Sequence, residues 1–310
     1  MTPDDPIELQ LRGPGGERVD LWRTLISHGF HDLAPMAIDE AARSLELTLR
    51  IPRGVPRRVR IAPGNRGAAH VEILGGARTS TATRDAIARG AARVLRLDQD
   101  LSAFYALAAA DPELAWVTAG AGRMLRSPTV WEDVVKTLCT TNCSWSLTTT
   151  MVNALVRELG EPAAGFADDP LANAFPIPRA MAGRDERFYR EVVRSGYRAP
   201  YFVRLAELVA SGEVDLEVLA NTSRLDPPDG EVEALLRSLP GIGPYAAANV
   251  MMTLGRSSRL ILDSWSRPAY VRAAGRRKLP SDAQIERRFR RYGEDAGLAF
   301  WLFVTKHWAD

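Results

Sequence analysis

Cysteine, lysine and histidine are all scarce in this chain of 310 residues. The two cysteines, Cys139 and Cys143, rule out a disulfide framework and a four-thiolate iron–sulfur cluster. A helical i, i+4 pair would need further ligands to hold a metal, and buried helix cysteines are far commoner, so no metal is expected there. His28, His31 and His70 lack metal-ligand spacing and read as surface or structural residues. Only Lys136, Lys278 and Lys306 could supply amine chemistry. There is no secretory signal pattern and no apolar run long enough to cross a bilayer, so no membrane partner is expected. A reduced cytoplasm fits this composition.

The net charge is +2, which is too small to identify a partner by itself. Its distribution is more informative. From Arg50 to Arg66 there are six arginines and no acid, and Arg267 to Ser281 is likewise basic without an acid. Each run is either a solvated arginine-rich face or a phosphate contact, and the second is the stronger candidate for contact. A chain of this length, 46% hydrophobic, can bury two or three cores.

The patterning divides the chain into two domains of an α+β protein. In the N-terminal antiparallel α/β domain, residues 1–96, Ile7 to Leu11 and Leu45 to Leu49 alternate as strands. Arg58 to Ile61 and His70 to Leu74 follow between Pro/Gly turns, predicting an antiparallel sheet with one covered face. From Thr81 the apolar period becomes helical, and residues 97–310 form a mostly α-helical, two-lobed domain. The segment Phe175-Pro176-Ile177-Pro178 reads as packing outside, Tyr201 as core.

The densest signal is Leu239-Pro240-Gly241-Ile242-Gly243-Pro244-Tyr245, with Asp263 18 residues beyond Tyr245. Val232, Leu235, Leu236 and Leu239 precede it at helical spacing, and an Ala-rich apolar run follows to Leu254, so two helices meet at a Gly-x-Gly turn. Two residues without side chains let that backbone approach a partner closely. Its free N–H groups, with those of the second helix's first turn, form an anion site suited to a nucleic-acid phosphate. A plain helix connector is the bland alternative. Asp263 follows Leu260-Ile261-Leu262 and precedes Ser264-Trp265, a place where a helix N-cap is also expected.

These residues resemble the helix-hairpin-helix (HhH-GPD) DNA glycosylase superfamily, notably 8-oxoguanine DNA glycosylase and 3-methyladenine DNA glycosylase II. Two further strings carry the resemblance. Cys139-Thr140-Thr141-Asn142-Cys143 is similar to a family segment whose Asn enters the gap left by an extruded nucleotide, and Gly196-Tyr197-Arg198-Ala199-Pro200-Tyr201 matches Gly-Tyr-Arg-Ala-x-Tyr. The resemblance implies that Gly241, Ile242, Gly243, Asn142, Tyr197 and Arg198 contact DNA. Tyr197 would wedge beside the extruded base, and Arg198 would bond the orphaned partner. Asp263 would be the catalytic carboxylate, steadying an oxocarbenium-like sugar and orienting water. Tyr245, Asn249 and Trp265 are candidates for the base pocket, with an aromatic from Phe300, Trp301 or Trp308.

In this superfamily strand cleavage requires a lysine that forms a Schiff base, and Tyr245 occupies that position here. The implied activity is therefore a monofunctional glycosylase acting as a monomer on double-stranded DNA of the nucleoid that carries a damaged or modified base. No cofactor is implied beyond a monovalent cation at the hairpin. The rival readings are a bifunctional 8-oxoguanine-type glycosylase/lyase and a non-catalytic helix-hairpin-helix DNA-binding protein. The base itself is left open, because Trp265 stands where the 8-oxoguanine branch has histidine.

Overall fold

In the computed structural model, residues 6–76, 79–221 and 226–308 are described. Five strands, β1 (Ile7–Gln10), β2 (Ala37–Asp39), β3 (Ser44–Leu49), β4 (Arg57–Pro63) and β5 (Ala68–Ile73), form one antiparallel sheet in the order β1-β5-β4-β3-β2. Alternation sets the register: Leu45 pairs with Ile61 and Leu47 with Val59, so the apolar side chains of both strands share one face. Helix α1 (Leu21–Leu25) and helix α2 (Thr81–Val94) cover that face, joining Leu21, Leu25, Ile87, Ala91 and Val94 to the sheet's core.

The opposite face is not left to solvent, in contrast to the single covered face expected from alternation. Thr48 is 2% exposed and donates its hydroxyl to the Ala172 carbonyl at 2.7 Å. Arg50 reaches the Phe175 carbonyl and Glu161. The Phe175 segment therefore packs inward rather than outside: Phe175 is buried, Trp131 donates Nε1–H to the Pro176 carbonyl at 2.9 Å, and only Ile177 stays exposed. Periodicity within a strand cannot report a loop arriving from more than a hundred residues away. Half of the first arginine run is engaged in the same region, Arg50 pairing with Glu161, Arg58 and Arg60 with Glu46, and Arg60 also with Glu72, while Arg53 and Arg66 stay exposed.

The remainder is helical: α3 (Ser102–Ala109), α4 (Val130–Thr140), α5 (Trp145–Leu159), α6 (Pro178–Ala182), α7 (Glu186–Glu191), α8 (Ala199–Ala210), α9 (Asp229–Ser238), α10 (Pro244–Thr253), α11 (Ser266–Ala273), α12 (Asp282–Phe289) and α13 (Ala296–Thr305). Two apolar cores organise them. One gathers α4, α5, α8, α9 and the inner face of α10 around Trp131, Leu138, Phe202 and Leu236. The other gathers α3, α11, α12 and α13 around Phe104, Tyr270, Phe289 and Phe300, and α10 contributes Ala248 and Met252 to it. Helix α10 thus runs between the two cores with apolar side chains on nearly all sides, which fits its Ala- and Met-rich sequence.

Helix α4 begins at Thr129, whose side chain accepts from the Glu132 N–H, and it carries buried charge. Lys136 is fully buried and pairs with Glu132, one turn earlier, at 2.7 Å, and donates to the Leu33 carbonyl. Burial raises the pKa of Glu132 against the pull of Lys136. Removing one partner strands the other charge in an apolar core, a loss of about 3 kcal/mol, whereas removing both costs much less. Urea denaturation is therefore expected to show Lys136→Met strongly destabilised and the Glu132→Gln, Lys136→Met double variant closer to wild type. Equal losses would contradict a stranded charge.

Candidate active site

A groove of about 1130 Å³ runs between the two helical cores and reaches the edge of the sheet lobe. Its walls are the α4–α5 turn, the α9–α10 hairpin, the segment leading into α11, the C-terminal end of the chain after α13, and the turn at His28 to Phe30. Asn142, Tyr197, Gly241, Gly243, Tyr245, Asn249, Asp263 and Trp265 all line it, although they come from four separated stretches.

The hairpin glycines have different reasons for being glycine. Gly241 has φ +76°, and a Cβ there would lie 2.7 Å from Leu138 Cδ1 and 2.8 Å from Tyr201 Cδ2. The fold itself demands it. Gly243 has φ −89°, and a Cβ would meet nothing within 4 Å, so the room it leaves faces the groove. Among the described residues no acceptor takes the N–H of Gly241, Gly243, Tyr245 or Ala246. These donors form an open anion site at the head of α10. Ile242 departs from expectation: its side chain is buried in the core and its N–H bonds to the Leu239 carbonyl, so it anchors the hairpin rather than facing outward.

Asp263 is held by its own turn. Its Oδ1 accepts from the N–H of Trp265 at 2.9 Å and of Ser266 at 2.6 Å, and Ser266 Oγ accepts from the Asp263 N–H at 2.9 Å. The residue caps the approach to α11, and the cap is what fixes its direction. Its Oδ2 accepts no bond from any described residue. The neighbouring Arg267 is bidentate to Asp282 at 2.9 Å and leaves Asp263 unpaired.

Asn142 sits in the left-handed region at φ +45° and is exposed at the tip of the α4–α5 turn. Capping of α5 falls to Ser144, which accepts from the Leu147 N–H, so Asn142 keeps its amide for the groove. Arg198 is placed otherwise than the resemblance implied. It is 3% exposed, donates Nε–H to the Thr141 hydroxyl at 3.1 Å and an Nη to the Thr141 carbonyl, and so supports the Asn142 turn from behind. Tyr197, 54% exposed, projects from the same corner with the guanidinium 4.6 Å from its ring centre. Tyr201 is also no core residue: it is 38% exposed and packs edge-on against Tyr197.

The aromatic wall comes from the C-terminal end. Trp265, Trp301 and Trp308 pack together with ring centres 5.3 to 5.8 Å apart, while Phe300 is wholly buried elsewhere. Trp145, at the start of α5, lies across Gly29, where a Cβ would be 2.6 Å from Trp145 Cη2. Trp145 and the His28 turn were absent from the sequence reading; the one available signal was a tryptophan at an exposed helix start. His28 is structural, donating Nε2–H to the Leu125 carbonyl and accepting the Phe30 N–H at Nδ1. Burial pushes its pKa down to about 4, so the ring is neutral at physiological pH. Burial also raises the pKa of Tyr245, which keeps its phenol protonated; Thr140 and Asn249 lie beside it.

Neither a model of a known protein family nor a curated protein sequence matches the chain. The solved structures do. The 3-methyladenine DNA-glycosylase from Archaeoglobus fulgidus superposes with a TM-score of 0.71 at 19% identity, over 96% of this chain and 98% of that one. MBOgg1 in complex with a low-affinity DNA ligand gives 0.71 at 17% identity, over 99% of each chain. The 8-oxoguanine glycosylase/lyase of Clostridium acetobutylicum, in complex with double-stranded DNA, gives 0.70 at 17% identity, over 97% of this chain and 94% of that one. The fold is thus that of the helix-hairpin-helix DNA glycosylases, an α+β architecture, as the sequence resemblance implied.

The contrast between the hairpin glycines is measurable. Gly241→Ala is expected to lose about 1–3 kcal/mol of unfolding free energy, from a strained φ and two close contacts. Gly243→Ala should stay within about 0.5 kcal/mol of wild type. Chemical denaturation of both variants checks this, and a large loss at position 243 would contradict the open space seen there.

Proposed function

We propose that this protein is a DNA glycosylase that extrudes a damaged or modified base from duplex DNA and hydrolyses its N-glycosidic bond. The observation that carries the reading is the free Oδ2 of Asp263, oriented by two backbone N–H groups on the wall of a groove whose opposite side presents the unpaired hairpin donors. As the base departs, positive charge develops on the deoxyribose, and a fixed carboxylate stabilises it. The same oxygen can orient a water toward the anomeric carbon and take its proton. The hairpin N–H groups would hold a backbone phosphate, Asn142 would fill the vacated place in the stack, and Tyr197 would wedge beside it.

Binding as a monomer to DNA of the nucleoid is part of this proposal. The exposed Arg272 in the last turn of α11, and Arg276, Arg277 and Lys278 after it, pair with no carboxylate among the described residues and would lie along the phosphates. The carbonyls of Gly241 and Ile242 accept no bond from described residues and suit a monovalent cation, through which no step is routed.

The reaction we infer is hydrolysis without strand cleavage. Among the described residues no lysine lines the groove, and Lys136 is buried against Glu132. Tyr245 offers no amine. A bifunctional glycosylase/lyase is therefore less well supported, and a non-catalytic DNA-binding role leaves the unpaired carboxylate without a purpose.

Incubation with a panel of duplexes carrying alkylated, oxidised, deaminated or enlarged bases tests the proposal. Strand breaks should appear only after alkali, and borohydride should trap no covalent adduct. Asp263→Asn should lower excision by about 1000-fold while duplex binding persists. Breaks without alkali would establish the lyase, and wild-type excision by Asp263→Asn would remove the carboxylate from the mechanism.

A further inference from the structure

Several polar groups lining the groove donate their hydrogen to a main-chain carbonyl. Thr140, Thr141 and Thr148 each donate their hydroxyl hydrogen to a backbone carbonyl of their own helix or turn, at Thr137, Leu138 and Cys139. Trp301 gives its indole N–H to Ser27, and His28 gives Nε2–H to Leu125. No arginine or lysine lines the groove among the described residues. The three threonine hydroxyls therefore present lone pairs, while the hairpin N–H groups and the Tyr245 phenol remain as donors on the same lining.

Asn249 completes this pattern. It lies one turn after Tyr245 on α10, half-buried and facing the groove, and its Nδ2 donates to the Tyr245 carbonyl at 2.9 Å. A carbonyl accepts only from a donor, so the amide cannot be reversed while that bond stands. The orientation follows from chemistry rather than from an assignment of atoms. Its Oδ1 accepts no hydrogen bond from any described main-chain group, and the amide lies within hydrogen-bonding reach of the Tyr245 phenol. Once a bound base excludes water from it, that acceptor is costly to leave unmet, and a site built around it rejects a ligand that lacks the matching donor.

We propose that Asn249 is a specificity-determining residue whose carbonyl oxygen accepts a hydrogen bond from an exocyclic amino group of the extruded base. The substrate class is then an amino-bearing base, a modified cytosine, adenine or guanine, in preference to its keto counterpart. This rests on the glycosylase reading and refines it. Tyr245 serves as the positioning partner, since its carbonyl fixes the amide.

The test uses matched lesion pairs that differ in the amino group: 7-methylguanine with 7-methylhypoxanthine, and 5-hydroxymethylcytosine with 5-hydroxymethyluracil, each in one duplex sequence. Excision is compared for wild type and Asn249→Ala, and binding is measured on 2′-fluoro versions that resist cleavage. In at least one pair, Asn249→Ala should lower kcat/KM and affinity for the amino member by about 10- to 100-fold and leave the keto member nearly unchanged. Comparing ratios between the two proteins cancels the intrinsic lability of each base. A thermal melt of Asn249→Ala establishes folding, and Asn249→Ser, which keeps a small acceptor, should recover part of the preference. Equal losses on both members, or an unchanged ratio, overturn the role of Asn249 while leaving the glycosylase standing. No excision of any member of the panel by wild type overturns the glycosylase reading and this proposal with it.

Discussion

Two backbone N–H groups, those of Trp265 and Ser266, fix the direction of the Asp263 carboxylate, and the chemistry of the groove depends on that arrangement. A carboxylate on a free side chain would rotate and collect the nearest cation. Here one oxygen is occupied by the main chain, and the nearest arginine, Arg267, is engaged by Asp282. The second oxygen is left pointing where a sugar would pass. Ser266 closes the turn by accepting the Asp263 N–H and is itself completely buried, so the loop is braced from the core side. Helix capping and the proposed catalytic orientation would thus be one structure, because a capping oxygen must be held still for the cap to work.

Around that point several arginines serve as internal bracing. Arg198 supports the Asn142 turn through Thr141. Arg123, wholly buried, pairs with Glu17 at 2.6 Å and donates to the Arg96 and Gln99 carbonyls, tying the sheet lobe to the helices. Arg256 bonds the Pro227 carbonyl and Asp229 at the start of α9. Guanidinium suits this work better than ammonium, since its planar fork satisfies several carbonyls at once and stays charged when desolvated. The net charge is small for a different reason, since 38 acidic side chains nearly balance 40 basic ones, and charge counting therefore says little about the partner.

What was legible in the sequence follows from how local each feature is. The Gly-x-Gly turn and the Asp263 cap are set within a few residues, so spacing alone located them. Asn142 was marked only by the family resemblance, and local sequence left it open as a helix cap until Ser144, two residues on, proved to hold that place. Tyr201, Arg198 and Phe175 were read the wrong way round. An aromatic or a guanidinium is equally at home facing in or out, and the choice is made by contacts that arrive from distant parts of the chain: Gly241 under Tyr201, Thr141 against Arg198, and Lys136 and Arg50 around Phe175. The aromatic wall was the least legible feature. Trp145, Trp265, Trp301 and Trp308 share no motif, and only the fold brings them to one groove.

The wall and the polar lining divide the task of recognition. Indole and phenol faces stack on any planar base, so they contribute affinity with little discrimination. Discrimination must then come from the few polar atoms whose direction is set before a ligand arrives, because a group that can rotate will satisfy whatever it meets. Asp263 and Asn249 meet that condition. Each has one polar atom tied to the main chain and one left over, and both leftover atoms are acceptors. They lie on the helix that joins the two cores and on the loop after it, so neither can shift without disturbing packing on both sides. A fixed acceptor at Asn249, set beside a sequence-blind stacking surface, suits the proposed selection by what the base can donate, while the fixed oxygen of Asp263 is kept for the proposed chemistry at the sugar.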